Sequence, residues 1–389
     1  MAGGGGGGST WKVVMAIGTA LCLVAFWVEH AQAGPGWLLS GLLAVGGLAV
    51  IFGACEAMIL CVEALGQRLR WNRYVAGAIA GLASNVPEVV MLGFIVAKEP
   101  RVAFVVACLT LHVNALVFGV YSGLLPRDKS GHARLPDPLV KLSTDLYACA
   151  AGIFLVLGLL MIAMHSFETG DHRGEGLGKG DLIAIGLALL AVEVVSVIEM
   201  VKRFAPASAA AEEPAAAPAE PPPGWGLIAL YFVVGVAFSF LGGHAIGDFA
   251  GGVVAELTAR GHPEMVGAIV ISLFAGVASY LMIASAHFKG LHELALSNVS
   301  GAITQQPFVV LPCSLILMAI FASTGVIPTL PHGGVLSIDL ETTSVVLLGF
   351  PTLLILWKAV SDDGMVNKLE TTVMVAQFGL AIYLLAQHG

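Results

Sequence analysis

A short polar stretch interrupts an apolar segment in the first quarter of the chain, where residues 84–88 read Ser-Asn-Val-Pro-Glu. A carboxylate at bilayer depth is costly to place, usually faces a water-filled cavity and is read as functional. Proline frees the backbone carbonyl four residues back, and a membrane tolerates this only where that carbonyl finds a partner or lines a cavity. The stretch therefore predicts that Glu88 is an ion ligand in a membrane transporter.

Further polar residues recur near this stretch and again in the second half of the chain. Thr110, His112 and Asn114 lie in the apolar segment that follows the hairpin at residues 98–101. In the second half, a polar hairpin runs from Ser279 to Gly301 and includes Ser297 and Asn298. Small residues at helix contacts are ordinary packing residues, but this does not account for amides and a Pro-Glu pair within apolar segments.

These residues must be positioned by membrane-spanning helices. Of 389 residues, 57% are hydrophobic and only 11% are charged, and the mean hydropathy is +0.90. A span needs about 20 apolar residues, and a soluble protein would carry roughly a quarter charged residues. The composition predicts an all-α polytopic membrane protein with ten spans, at 37–66, 74–98, 101–125, 139–165, 181–202, 225–255, 264–288, 291–323, 335–358 and 367–387.

An additional apolar run precedes these ten spans, at residues 11–28. It is either a transmembrane helix or a signal peptide with an Ala-x-Ala cleavage site after Ala33. Only Lys12 precedes it, and this weak positive charge favours the uncleaved helix. Residues 1–36 are therefore predicted to be a leader with an extra helix or signal peptide.

The remaining chain divides into two nearly equal halves, 37–203 and 225–387, joined by an Ala/Pro/Glu-rich linker at 204–224. Because five spans are an odd number, the second half enters the membrane from the opposite side, and inverted repeats of this kind bind their substrate at the midplane. With the linker in the cytoplasm, 13 of the 18 basic residues fall on the cytoplasmic side, as the positive-inside rule requires. The other five are Lys98, Arg101, Arg173, Lys179 and Arg260.

The motifs resemble those of a known family. Residues 84–88 resemble the G-T-S-x-P-E signature of the calcium:cation antiporter superfamily, the sodium/calcium-exchanger type, and residues 293–301, Glu-Leu-Ala-Leu-Ser-Asn-Val-Ser-Gly, look like its D-L-A-x-G-N-V-x-G-S-N stretch. The resemblance implies two inverted five-helix repeats that alternate access to Na⁺ or Ca²⁺ bound at the midplane. It also implies a set of cation-binding residues, namely Glu88, Ser84, Asn85, Thr110, His112, Asn114, Ser279, Ser297 and Asn298.

The second repeat departs from the family pattern. Counting back from Asn298 places the second signature acid at Ser279, and no Pro-Glu pair occurs there. Ca²⁺ normally takes several carboxylates among six to eight oxygens, whereas one carboxylate with neutral oxygens suits Na⁺ or a proton better. We therefore expect Glu88 to exchange a proton or Na⁺ for another cation. A missing charge could come from Glu56 and Glu63, or from Asp248 with His244.

The sequence thus predicts a secondary cation antiporter, with a transport-inactive sensor or scaffold of the same fold as the alternative. An intramembrane enzyme is a third class, but no catalytic spacing supports it, so the chain is predicted not to be an enzyme. The expected partners are small cations and the lipid bilayer, with no cofactor and no nucleic acid, and the oligomeric state is open. The expected location is the plasma (inner) membrane if the source is prokaryotic.

Overall fold

The computed structural model describes residues 10–31, 36–69, 79, 81–167, 176–204, 223–288, 290, 292–330 and 333–388. These ranges are almost entirely helical, with four strands of two or three residues. In chain order the elements are α1 Thr10–His30, α2 Gly36–Leu69, α3 Val86–Lys98, α4 Pro100–Leu124, β1 Ala133–Arg134, α5 Asp137–Phe167, β2 Leu177–Gly178, α6 Lys179–Phe204, α7 Trp225–Ala259, α8 Glu264–Ala275, α9 Val277–Phe288, α10 His292–Gln305, a π-helical turn Gln306–Val310, α11 Leu311–Thr324, β3 Gly334–Leu336, α12 Leu340–Leu347, α13 Gly349–Ser361, β4 Met365–Val366 and α14 Lys368–His388.

Ten helices in the described part of the chain are long and apolar enough to cross a membrane. One of them is α1, so the N-terminal apolar run is a helix, although its processing stays a prediction. The span predicted at 264–288 is instead two short helices, because the chain leaves the helix at Gly276 between α8 and α9. The span predicted at 335–358 begins with β3 and becomes helical only after Asp339, and residues 74–78 of another predicted span lie outside the described residues.

The chain forms two compact units, and each draws on both sides of the linker. Unit 1 comprises Met1–Phe94 and Ala191–Gly252, and unit 2 comprises Ile95–Leu190 and Val253–Gly389. The predicted repeats, 37–203 and 225–387, are continuous in sequence and are therefore not the same as these units. Their boundaries stay a prediction.

Small residues bring the helices of unit 1 together. A Cβ on Gly18 of α1 would lie 2.7 Å from the Cβ of Ala49 on α2, so the two backbones are close. On α7, Gly242 faces Ile51 of α2, and Gly243 lies against the backbone of Met91 on α3. Such small residues allow close helix packing in a membrane, where no hydrophobic force drives helices together.

In unit 2, α4 is the central helix. It is the most thoroughly buried of the candidate spans, with 89% of its most apolar window inside the protein. At its N-terminal end, the guanidinium of Arg101 binds three carboxylates: Asp339 at 2.7 Å, and Glu264 and Glu341. We call these four residues the Arg101 cluster. It ties the start of α4 to the starts of α8 and α12.

Asp339 has a second role in the Arg101 cluster as the N-cap of α12. Its carboxylate accepts from the backbone N–H of Thr342, and the Thr342 hydroxyl accepts from the backbone N–H of Asp339, forming a capping box. Burial alone would raise the pKa of Asp339, but the Thr342 N–H and the Arg101 guanidinium outweigh it and hold the pKa below its ordinary value.

Two small antiparallel pairings join loops that are far apart in sequence. Strand β1 pairs with β4, and β2 pairs with β3. Beside the first pairing, Arg127 donates to the carbonyl oxygens of Gly131, Ser122 and Val366 and to the hydroxyl of Thr371. The end of α4 is thereby fixed to the start of α14.

We expect Gly349→Ala to destabilise unit 2. A Cβ at Gly349 would overlap the ring of Phe154, a fully buried side chain on α5, and overpacking typically costs about 1–3 kcal/mol. A Cβ at Gly152, also on α5, would meet no other atom within 4 Å, so Gly152→Ala is a matched control that should be neutral or stabilising. Thermal unfolding in detergent, followed by circular dichroism, measures both. Equal midpoints for the two variants would contradict the α5–α13 packing.

Arg101→Gln should destabilise the protein by about 1.5–3 kcal/mol at pH 7, since it removes charge-assisted hydrogen bonds. Because the pKa of Asp339 is lowered, its stabilising contribution is present above its ordinary pKa of 3.8 and is lost as the pH falls through its lowered value. The difference in unfolding free energy between wild type and variant should therefore shrink below about pH 4.

The control is Arg260→Gln, which breaks an exposed pair with Glu256 and should cost less than about 1 kcal/mol. A pH-independent effect of Arg101→Gln would contradict the assignment.

Candidate functional site

The Ser-Asn-Val-Pro-Glu stretch lies at an interruption of the helix, as the proline predicts. Residues 81–84 are helical, Asn85 forms a turn, and α3 starts at Val86. Pro87 falls in the first turn of α3, where a missing N–H leaves no helix hydrogen bond unmade. Glu88 lies in the same turn. The N–H groups of a helix N-terminus carry partial positive charge, so the first turn is a common position for acidic side chains.

A second carboxylate lies near Glu88 within unit 1. The thiol of Cys55 on α2 donates to the carbonyl oxygen of Ser84 at 3.4 Å, and both Glu88 and Glu56 are close enough to this thiol to interact with it electrostatically. Of the two carboxylates that the sequence offers on α2, the structure thus brings Glu56 to the interruption. Glu63 is exposed two turns further along.

The other candidate pair, His244 and Asp248 on α7, forms an ion pair of its own. Nδ1 of His244 lies 2.9 Å from Oδ2 of Asp248. The His244 ring packs against Phe94, with ring centroids 5.2 Å apart, and against Phe26 of α1. Phe94 is six residues beyond Glu88 on α3. This arrangement assigns the pair to helix packing and leaves Glu56 as the better source of a second charge.

The polar residues of α4 face other helices of unit 2. The Thr110 hydroxyl donates to the carbonyl oxygen of Val106 in its own helix. Asn114 donates from Nδ2 to the carbonyl oxygen of Ala302 on α10, and its Oδ1 accepts from the hydroxyl of Tyr280 on α9, both at 3.4 Å. Asn114 therefore connects α4 to both helices of the second-half hairpin.

His112 is fully buried, and both ring nitrogens are engaged. Nε2 lies 3.1 Å from the carbonyl oxygen of Val345, and Nδ1 lies 3.1 Å from the hydroxyl of Thr352. A carbonyl only accepts, so the proton is on Nε2 and the Thr352 hydroxyl donates to Nδ1. This geometry gives His112 a structural role between α4, α12 and α13 and leaves no ring nitrogen for an ion.

The remaining predicted residues lie on α9 and α10 of unit 2. Ser297 is exposed, and Ser279 and Asn298 are half-buried. Two residues after Asn298, the hydroxyl of Ser300 is 2.7 Å from that of Tyr147 and 2.8 Å from that of Ser143, both on α5. These hydroxyl contacts set the rotation of α10. An approach of Glu88 to Asn298 or Ser279 would join the two units, and it stays a prediction.

A second register between the two halves exists besides the count back from Asn298. Residues 81–88, Gly-Leu-Ala-Ser-Asn-Val-Pro-Glu, align with residues 276–283, Gly-Val-Ala-Ser-Tyr-Leu-Met-Ile. In this register Ser279 corresponds to Ser84 and the buried Ile283 to Glu88. Aligning the helix interruptions at Asn85 and Gly276 instead pairs Ser279 with Glu88, as the count back from Asn298 does. In both registers the second half has no acid at the position of Glu88.

Gln306 is a candidate that the predicted set omits. It lies 14 residues after the start of α10, and Asn114 lies 14 residues after the start of α4. Gln306 is 2% exposed and begins the π-helical turn Gln306–Val310, a feature that often marks functional positions. The equal spacing from the helix starts would have identified it from the sequence.

Within the described ranges, no group of three His, Cys, Asp or Glu side chains is arranged to hold a metal ion.

Comparison with known proteins finds a family match in the second half of the chain. The family model described as "Sodium/calcium exchanger protein" matches residues 227–387. This stretch is less than half of the chain, and it is the half without a Pro-Glu pair. A sequence comparison with curated proteins finds no match.

Solved structures extend the likeness to the whole fold. The "H+/Ca2+ Exchanger CAX" covers 97% of this chain and 92% of its own, with a TM-score of 0.65 at 12% identity. YfkE covers 97% of this chain and 99% of its own, with a TM-score of 0.57 at 16% identity. The sodium-calcium exchanger NCX_Mj covers 88% and 98%, with a TM-score of 0.53 at 15% identity. The predicted fold of two inverted five-helix repeats is confirmed, and the family match and these structures agree with the predicted resemblance.

Thr352→Val should destabilise the protein by about 1–3 kcal/mol, because it leaves the buried Nδ1 of His112 without its donor. The matched control is Thr372→Val, whose exposed hydroxyl donates to the carbonyl oxygen of Lys368 within α14, and we expect a change within about 0.5 kcal/mol. Chemical unfolding in detergent measures both. If Thr352→Val unfolds like the wild type, His112 is not held as described and is again a candidate ion ligand.

Proposed function

We propose that this chain is a secondary active cation antiporter that alternates access to a site built around the Glu88 carboxylate. The observation that carries the proposal is the position of Glu88 in the first turn of α3, directly after an interruption of the helix. Interrupted helices near the midplane are where inverted-repeat transporters bind ions. The match of residues 227–387 to the exchanger family and the exchanger fold support the same conclusion.

The number of carboxylates decides which cations are suitable. Neither Ser279 nor Ile283, the two second-half positions that can correspond to Glu88, is an acid, so Glu88 is the only charged member of the predicted set. This favours exchange of Na⁺ or a proton. Glu56 adds a second carboxylate beside the interruption, and Ca²⁺ transport in this chain would depend on it.

The membrane setting of the proposal follows the sequence. The chain is an integral membrane protein with a cytoplasmic linker, and it resides in the plasma (inner) membrane if the source is prokaryotic. It acts as a transporter, without cofactor, and not as an enzyme. Small cations and the bilayer are its expected partners.

Glu88→Gln tests the central claim. The purified full chain is reconstituted into proteoliposomes, and ²²Na⁺ or ⁴⁵Ca²⁺ uptake is measured under opposing Na⁺, Ca²⁺ and H⁺ gradients. Glu88→Gln should reduce coupled flux to the level of empty liposomes, because the amide cannot neutralise a bound cation. Glu256→Gln, an exposed acid paired with Arg260 on α7, should keep wild-type flux. Wild-type flux in Glu88→Gln would refute the site.

Glu56→Gln tests the origin of the second charge. If Glu56 supplies it, this variant should lose Ca²⁺ uptake and keep Na⁺/H⁺ exchange, because a single carboxylate suffices for a monovalent ion. Glu63→Gln, two turns along the same helix, is the matched control and should keep both activities. Loss of both activities in Glu56→Gln would instead make Glu56 an equal partner of Glu88.

The alternative function is a transport-inactive sensor or scaffold of the same fold. The specific observation in its favour is that the second half has no Pro-Glu pair at its interrupted helix. Absence of flux in the wild type under every gradient, with retained Na⁺ or Ca²⁺ binding, would favour this alternative.

A further inference from the structure

A cavity of about 390 Å³ lies between α4 and α9 of unit 2. This volume falls in the range of pockets that hold small ligands. Its walls are almost entirely apolar and include Val117 and Val120 of α4 and Ile283 of α9. We call it the α4–α9 slot.

Two polar pairs close the slot at its ends. At one end the Tyr280 hydroxyl donates to Asn114, and at the other the Tyr121 hydroxyl lies 3.4 Å from Nδ1 of His287. Asn114 and Tyr121 are seven residues apart on α4, and Tyr280 and His287 are seven residues apart on α9, so both pairs lie on matching helix faces about 10 Å apart. The slot is thus an elongated apolar space of about 10 Å with a polar group at each end.

The long side of the slot is open. Val120 is 49% exposed and Phe288, at the end of α9, is 87% exposed. α4 is long and apolar enough to cross a membrane, and the side chains that line the open side are apolar, so this side suits hydrocarbon better than water. An apolar cavity does not hold ordered water, which needs polar partners along its walls. Around a membrane protein, the apolar groups available to occupy such a cavity are the acyl chains of lipids.

The His287 end carries groups that recognise a phosphate. When the Tyr121 hydroxyl donates to Nδ1 of His287, the ring proton lies on Nε2, which becomes a donor for an anionic oxygen. The ring of His292 is 5.0 Å from that of His287 between centroids, and its buried Nδ1 has no hydrogen-bond partner among the described residues. Tyr121, His287 and His292 are the titratable groups that the described contacts place together here.

We propose that the α4–α9 slot binds a phospholipid, with one acyl chain between the helices and the phosphate at His287. The occupancy of the slot is measured without any ion flux, so the outcome is read independently of the proposed transport. Because Tyr280 both lines the slot and donates to Asn114, the bound chain packs against a helix that holds a candidate ion ligand.

Tryptophan quenching by brominated lipid tests the proposal. Val120→Trp places a reporter at the edge of the slot, and Val373→Trp places one on the lipid-facing side of α14. The two reporters lie at similar depth, because Gly119 of α4 packs against Met374 of α14. Each variant of the full chain is purified in maltoside micelles and titrated with phosphatidylcholine brominated on its acyl chains, and the wild-type signal from the six native tryptophans is subtracted.

We expect half-maximal quenching of Val120→Trp at about a tenfold lower lipid mole fraction than that of Val373→Trp, the effect of one hydrogen bond to a charged group. Adding Ala284→Phe, which fills the slot, should abolish the difference. When His287→Gln is added to Val120→Trp, brominated phosphatidylcholine should quench the reporter no better than brominated diacylglycerol, which lacks the phosphate. Coinciding curves for the two reporters would overturn the lipid site. Equal quenching by diacylglycerol with His287 intact would overturn the phosphate assignment.

Discussion

The cost of placing polar groups in hydrocarbon is the constraint on which the rest of this structure depends. A carboxylate such as Glu88 is tolerated at depth only where free backbone N–H groups and neighbouring polar atoms replace water, and an interrupted helix supplies both. The interruption at Asn85 and Pro87 creates that position in unit 1. The same constraint explains the close glycine contacts among α1, α2, α3 and α7, which exclude lipid from their shared faces.

Unit 2 meets the same constraint without a membrane-embedded acid on its interrupted helix. Its interruption at Gly276 leads into α9, which carries no carboxylate, and the polar side chains Asn114 and Tyr280 beside it are neutral. Asn114 and Tyr280 hydrogen-bond between helices and connect α4, α9 and α10. The two halves of the chain thus share a helical plan but differ in the charge that they place along it.

Much of this was predictable from the sequence, because hydropathy and proline position are local signals. The all-α membrane fold, most of the spans and the interruption before Glu88 followed from such signals. The role of His112 did not, because its partners Val345 and Thr352 are more than 230 residues away in the chain. Likewise, the seven-residue spacing of Glu56 and Glu63 places both on one face of α2. Only the contact between Cys55 and Ser84 shows that Glu56, and not Glu63, lies next to the interruption.

Two further differences show why local signals fail. An unbroken apolar run at 264–288 predicts one span, but the glycine at position 276 divides it, and composition gives no warning of this. Counting residues back from Asn298 places the second signature acid at Ser279, whereas the shared Gly-x-Ala-Ser pattern places it four residues later, at Ile283. A residue count and a short motif can thus give different registers for the same two repeats.

The Arg101 cluster has a consequence for the solution next to it. Three carboxylates around one guanidinium leave an excess of two negative charges within the cluster, and its side chains are about one-fifth to one-third exposed. Such a surface attracts mobile counter-ions over roughly one Debye length, about 8 Å at physiological ionic strength. Cations are thereby enriched at the N-terminal end of α4 relative to the bulk, and this enrichment fades as added salt screens the field.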